Sequence, residues 1–152
     1  MLSVTTATRQ DTHAIAKLLD ELDRFYGTTD VDPIEQRAVE IEALLFRDQP
    51  AAHVLLARDS DKVVGMAAYS FLWPAAGVTQ SLYLKELYVA ASHRRRGIGR
   101  LLMDRLRQIA SKSGCSRIEW TTDDNNPNAQ RFYERLGLLP HAGKTHFRMP
   151  VD

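Results

Sequence analysis

Apolar residues recur along this chain with two different periods. Ile15, Leu18, Leu19, Leu22 and Phe25 fall three and four residues apart, which predicts a helix from about Asp11, preceded by a short strand over residues 2–8. "YGTTDVDP" reads as a loop, after which Pro33 fits the first turn of a second helix carrying Ile34, Ala38, Ile41 and Leu45. The period then shortens. "AHVLLARDSDKVVGMAAYSFLW" reads as two strands joined by a turn at Asp59 to Lys62, a hairpin.

The strand "SLYLKELYVA" is irregular. Under a two-residue period Leu82 and Leu84 share one face, but Leu87 and Val89 are offset from them by one position. Two readings are open. An extra residue near Lys85 or Glu86, a β-bulge, would bring all four to one buried face; alternatively the strand is covered on both faces near its end and needs no bulge.

Downstream, Ile98, Leu102, Leu106 and Ile109 mark a helix that Gly114 can close. "SRIEWTT" alternates as a strand, and in "NNPNAQRFYERLG" Asn126 can cap a helix that Pro127 begins and Gly137 ends, with Ala129, Phe132, Tyr133 and Leu136 as its apolar stripe. One or two short strands are expected before Val151. Hairpins come first and strand-helix-strand units later, so the fold class is α/β, of the mixed α+β type.

Composition narrows the picture. With 152 residues, 44% of them hydrophobic, the chain can bury one real core, and no linker, repeat or low-complexity tract divides it, so a single domain over residues 1–152 is expected. No apolar run approaches the ~20 residues of a membrane span, and "MLSVTTATRQDTHAIAKLL" lacks the zones of a signal peptide. Cytoplasmic localisation and no membrane partner are expected. One cysteine, Cys115, cannot form an internal disulfide, and the five histidines show no zinc spacing with it, so no metal is expected. A net charge of +1 gives no global field for nucleic acid, and no nucleic-acid partner is expected. Charge is nevertheless segregated: residues 19–42 are rich in aspartate and glutamate, whereas "HRRRGIGRLL" gathers Arg94, Arg95, Arg96 and Arg100 around Gly97 and Gly99.

A loop of this kind between a strand and a helix favours a phosphate. Glycines let backbone amides approach the ligand, the helix dipole is positive there, and arginines add charge-assisted bonds at the rim. The alternative is a solvated basic surface. The Walker pattern is absent, and Gly97-Ile98-Gly99 is followed by Arg100, Leu101 and Leu102 where a dinucleotide fingerprint needs a further glycine.

Residues from Tyr83 to Leu138 as a block resemble the GNAT superfamily of N-acetyltransferases. "ELYVAASHRRRGIGRLL" is similar to that family's strand and acetyl-coenzyme A loop, with Arg94, Gly97 and Gly99 in its Arg/Gln-x-x-Gly-x-Gly/Ala pattern. "NNPNAQRFYERLGL" resembles its second signature at Asn126, Ala129, Phe132, Tyr133, Gly137 and Leu138. The resemblance implies a central, mostly antiparallel sheet of six to seven strands, splayed at a bulge and flanked by about four helices. It implies acetyl-coenzyme A as co-substrate. The cofactor would be held by Arg94, Arg95, Arg96, Gly97, Ile98, Gly99 and Arg100, its pyrophosphate on the amides of residues 95–100 and its pantetheine arm along Leu87, Tyr88 and Val89, with Asn126, Ala129 and Phe132 as further cofactor contacts. The Val89 amide would hold the thioester carbonyl, Tyr133 would protonate the departing thiolate, and Glu86 is the expected base, directly or through water. Glu86 could equally form a surface ion pair and Tyr133 simple core.

The expected acceptor is the primary amine of a small molecule, attacked directly in a ternary complex. Cys115 lies ~15 residues, roughly 22 Å at helical rise, from the phosphate loop and is not expected to carry acetyl. Both motifs look most like the branch that acetylates diamines and polyamines, although Lys85 stands where that branch commonly pairs a second acid with Glu86. Tyr69, Phe71 and Trp73 are candidates to line the acceptor pocket, or are core and hairpin tip. A protein or aminoglycoside N-acetyltransferase and a non-catalytic acyl-coenzyme A sensor remain as alternatives, and the resemblance leaves a homodimer open.

Overall fold

The computed structural model describes residues 1–151. They form two compact units, Met1–Thr121 and the segment from Thr122 onward. In the first unit, β1 (Leu2–Thr6) leads through a short 3-10 turn into α1 (Thr12–Phe25), and α2 (Ile34–Leu45) follows. Next come β2 (His53–Asp59), β3 (Lys62–Leu72), β4 (Gln80–Val89), α3 (Ile98–Lys112) and β5 (Cys115–Glu119). The second unit contains α4 (Pro127–Arg135).

The five strands lie in the order β1-β2-β3-β4-β5. The first three pairings are antiparallel, while β4 and β5 run parallel with α3 as the crossover between them. Mixed α/β architecture with four helices is therefore as expected, with five strands rather than six or seven. The missing strands fall after Leu138, where no ladder forms among the described residues. Leu139, Phe147 and Met149 are exposed there, and alternation alone does not make a strand without a neighbour to take its backbone groups.

Of the two readings of the β4 irregularity, the bulge holds. Leu84 lies opposite Tyr69 and Glu86 opposite Ala68, so Lys85 is an extra residue, the bulge. It restores Leu87 and Val89, both half-buried, to the face of Leu82 and Leu84. The strand is also covered on its other face, where Tyr88 is the buried residue near its end. Facing residues of an antiparallel ladder share a side of the sheet, so the two layers can be assigned. The Gly65 side carries α3: a Cβ on Gly65 would lie 3.2 Å from Ile98 Cγ2 and 3.3 Å from the Tyr88 carbonyl. Glycine at that point lets the start of α3 sit directly on the sheet. The opposite side packs Val54, Leu56, Met66 and Tyr88 against Ile15, Leu18 and Leu22 of α1, with Ile41 and Leu45 of α2 beside them.

The two helices of that layer start differently from expectation by one residue. Pro33 is the cap of α2 rather than its first helical residue, with extended backbone. Asp11 is buried before α1, where it accepts from the Thr8 amide at 2.8 Å and from Arg58 Nη2 at 2.8 Å, tying the helix start to β2. No helix among the described residues is long and apolar enough to cross a membrane.

Candidate active site

The bulge decides where Glu86 points. Without Lys85 as an extra residue, Glu86 would share the face of Leu82 and Leu84 under α3; with it, Glu86 lies opposite Ala68 on the α1–α2 side. There it lines a cavity of about 340 Å³ whose walls include Leu19, Ile41 and Met66, together with Arg37 and Glu40 of α2. Sequence inspection saw the bulge but not this set of charges, because α2 lies some fifty residues earlier in the chain.

The bulge also marks where β4 leaves its other neighbour. Pairing with β5 ends at Tyr83 opposite Glu119, so from Leu84 to Val89 the strand is laddered only to β3 among the described residues. An unpaired edge of this kind can accept an extended ligand as if it were a strand.

Beyond Val89 the chain turns through a 3-10 segment, Ala91–His93, and enters α3. Arg95 has φ 63° and Gly97 has φ 79°, both left-handed, one on either side of Arg96. Successive amides in such a turn form a concave, anion-accepting nest, and the free amides at the start of α3 extend it. Gly97 takes this conformation without strain, whereas Arg95 holds it against its Cβ, a conformation that ordinarily costs about 1–3 kcal/mol. No side chain caps this helix start, and the Gly97 carbonyl accepts the first helical bond from the Leu101 amide at 3.1 Å.

The four arginines divide their work. Arg94 Nε donates to the Val89 carbonyl at 3.1 Å, and its guanidinium lies 4.7 Å from the Phe25 ring centre and 5.5 Å from that of Tyr88. Arg96 lies 3.6 Å from the Asp59 carboxylate, which is also bonded to His93 Nε2 at 3.1 Å. These two arginines brace the loop. Arg95 and Arg100 are exposed, with no ion pair among the described residues.

Glu21 completes the brace and was not singled out from the sequence, where it is one acid in an acidic stretch. Its carboxylate accepts from the Tyr88 hydroxyl at 2.5 Å and from the Ala91 amide at 3.2 Å, fastening α1 to the loop. Burial, then the Glu21 hydrogen bond and its charge, push the Tyr88 phenol up to about 12. Because the folded value is raised above the ordinary 10, the neutral phenol contributes stability that is complete below about pH 10 and is lost as pH rises toward about 12. Comparing ultraviolet titrations of the protein and its Tyr88→Phe variant should isolate a phenol titrating near 12. Glu21→Gln should bring it back toward 10, and a Tyr88 titrating at its ordinary value in both proteins would contradict the buried pair.

Cys115 opens β5 with its thiol raised by burial, which disfavours the reactive thiolate. Of the two readings of the aromatics, core and hairpin tip describes where they lie. Tyr69 and Phe71 project on the Gly65 side of β3, away from the cavity, and pack with His53. Trp73 is exposed at the strand end, its indole donating to the Val78 carbonyl at 2.8 Å. Strand parity alone could not say which side the first two helices cover.

In the second unit, Asn126 caps α4 as expected, its Oδ1 accepting from the Ala129 amide at 3.2 Å, with Pro127 in the first helical position. Ala129, Phe132 and Tyr133 are half-buried, and the Phe132 and Tyr133 rings meet edge to face at 5.0 Å between centres. The Tyr133 carbonyl closes the helix by accepting from the Leu136 and Leu138 amides, each at 3.0 Å.

A mixed sheet with an open strand edge beside an amide-lined turn at a helix start can hold an extended ligand that ends in an anion. The chain belongs to the acetyltransferase (GNAT) family, whose model matches residues 15–138, and it is an acetyltransferase. Thialysine N-epsilon-acetyltransferase of Mus musculus is 26% identical over 95% of this chain and 90% of its own length. L-ornithine N5-acetyltransferase NATA1 of Arabidopsis thaliana is 33% identical over 49% of this chain, a match that spans 33% of the plant protein. Among solved structures, an integron cassette protein, VCH_CASS6, from the mobile metagenome of V. cholerae superposes with a TM-score of 0.91 at 28% identity, covering 99% of this chain and 93% of the other.

Proposed function

We propose that this protein moves the acetyl group of acetyl-coenzyme A to the primary amine of a small molecule by direct attack in a ternary complex. The observation that carries the reading is the β4 edge left open from Leu84 to Val89, running into the Arg95–Gly97 turn. Bound acetyl-coenzyme A supplies the activated thioester. The turn fits its pyrophosphate through the amides of residues 95–100, with Arg95 and Arg100 as rim cations, while Arg94 and Arg96 hold the loop in shape. Leu87, Tyr88 and Val89 offer the open edge to the pantetheine arm, and the Val89 amide stabilises charge growing on the thioester oxygen.

A primary amine with an ordinary pKa near ~10.4 is mostly protonated at neutral pH, so a proton must leave before it attacks. Glu86 takes that role, directly or through water, from its place on the cavity wall. Tyr133 returns a proton to the thiolate, and Asn126, Ala129 and Phe132 contact the arm. These four residues carry over from the family's second signature, and because the family match runs from residue 15 to 138, we treat residues 1–152 as one catalytic domain. A small acceptor is supported by the size of the cavity, about 340 Å³, near the lower end of the ~300–1,000 Å³ usual for such sites. It is supported too by relatives named for ornithine and thialysine. The single, half-buried Cys115 suits a reducing cytoplasm.

Mass spectrometry of acetylated products from a mixed panel of diamines, amino acids, aminoglycosides and peptide N-termini tests this assignment. Acetylation confined to the small amines supports it. Acetylation confined to aminoglycosides or peptides moves the acceptor to those classes, and cofactor binding with no product from any of them leaves a sensor.

A further inference from the structure

The turn assigned to the cofactor is gripped by a helix that also serves the acceptor side. α1 lines the cavity beside Glu86 with Ile15 and Leu19. Further along the same helix, Glu21 Oε2 accepts from the Tyr88 hydroxyl at 2.5 Å and from the Ala91 amide at 3.2 Å, and Phe25 lies 4.7 Å from the Arg94 guanidinium. Glu21 and Phe25 are four residues apart and so share one face of α1. Together they hold the 3-10 segment Ala91–His93 at its start and just past its end, immediately before Arg95.

Arg95 needs such a grip. Its φ of 63° is left-handed, a conformation that a residue with a Cβ keeps only where its surroundings impose it. If the turn relaxes, its amides no longer converge on an anion, and the apparent affinity falls with the fraction of molecules that still hold the turn. We propose that Glu21 is a positioning residue for the cofactor, keeping the Arg95–Gly97 turn in its anion-accepting form by fastening Ala91 and Tyr88 to α1. This rests on the acetyl-coenzyme A reading above. Glu21 is not on the wall of the acceptor cavity and acts on the cofactor through Ala91 and Tyr88, so its loss falls on cofactor binding rather than on the chemical step. Asp59 restrains His93 and Arg96, which leaves the Ala91 end of the segment to Glu21.

Calorimetric titration with acetyl-coenzyme A, without amine, on the unaltered protein, Glu21→Ala, Arg95→Gly and the double variant provides the test. Glu21→Ala should weaken binding by about 5- to 150-fold, the population shift that corresponds to strain of about 1–3 kcal/mol at Arg95. In steady-state kinetics the loss should appear in KM for acetyl-coenzyme A far more than in kcat or in KM for the amine. Glycine takes the left-handed form about as readily as the right-handed one, so in the Arg95→Gly background the same Glu21→Ala change should weaken binding by about two-fold or less. Glu21→Asp keeps the charge but falls a methylene short, and it should show a loss of the same kind even if the alanine variant fails to fold. Glu21→Gln, whose amide oxygen reaches both donors, should recover most of the affinity. Unaltered affinity in Glu21→Ala or Glu21→Asp would overturn the proposal. An equal loss with and without Arg95→Gly would overturn it too, by severing Glu21 from the strained turn. No binding by the unaltered protein would overturn the cofactor reading itself.

Discussion

Tyr133→Phe should lower the maximal rate of acetyl transfer by about 10- to 1000-fold, the scale of a lost proton donor. The substitution removes one oxygen and keeps the ring. The edge-to-face contact with Phe132 and the carbonyl bonds to Leu136 and Leu138 that close α4 do not involve the hydroxyl. The thermal midpoints of the two proteins, compared directly, separate a loss of stability from a loss of rate. Steady-state rates at saturating amine and cofactor, read beside KM for acetyl-coenzyme A, separate the roles: a proton donor acts on kcat, whereas a residue that only packs leaves kcat intact. An unchanged maximal rate would reduce Tyr133 to packing.

Glu86→Gln should lower kcat/KM at neutral pH by about 10²- to 10⁴-fold, the usual contribution of a general base. The amide is close in size to the carboxylate, so the cavity wall and the bulge keep their shape while the base is lost. The pH profile should change in a particular way. As pH approaches the ordinary amine pKa near ~10.4, free amine becomes abundant without help, so the deficit of the variant should narrow on the alkaline side. Unchanged turnover and an unchanged profile would make the assignment wrong.

Much of the fold was legible because local periodicity carries it. The offset between Leu84 and Leu87 called for the bulge at Lys85, and the same displacement that keeps leucines on one face turns Glu86 to the other. The Ile98, Leu102 and Leu106 stripe, the left-handed Gly114 that closes it and the Asn126 cap are likewise local signals, and each has its counterpart in the structure. What stayed hidden depends on partners far along the chain. Arg94 stacks on Phe25 and Tyr88 and Arg96 turns to Asp59, contacts that no local pattern announces. Glu21 reaches Tyr88 across 67 positions of sequence. Arg37 and Glu40 join Glu86 only because α2 lies over the same face of the sheet. The strands expected near the C-terminus find no ladder partner among the described residues.

Titration calorimetry with acetyl-coenzyme A, followed in the same cell by free-thiol appearance before and after adding a primary amine, tests the central claim most directly. Heat should saturate at one cofactor per chain, with no thiol release until the amine is present and an acetylated amine as product. Absence of binding would contradict the assignment of the Arg95–Gly97 turn to the cofactor, and thiol release without amine, leaving acetyl on the protein, would contradict direct transfer.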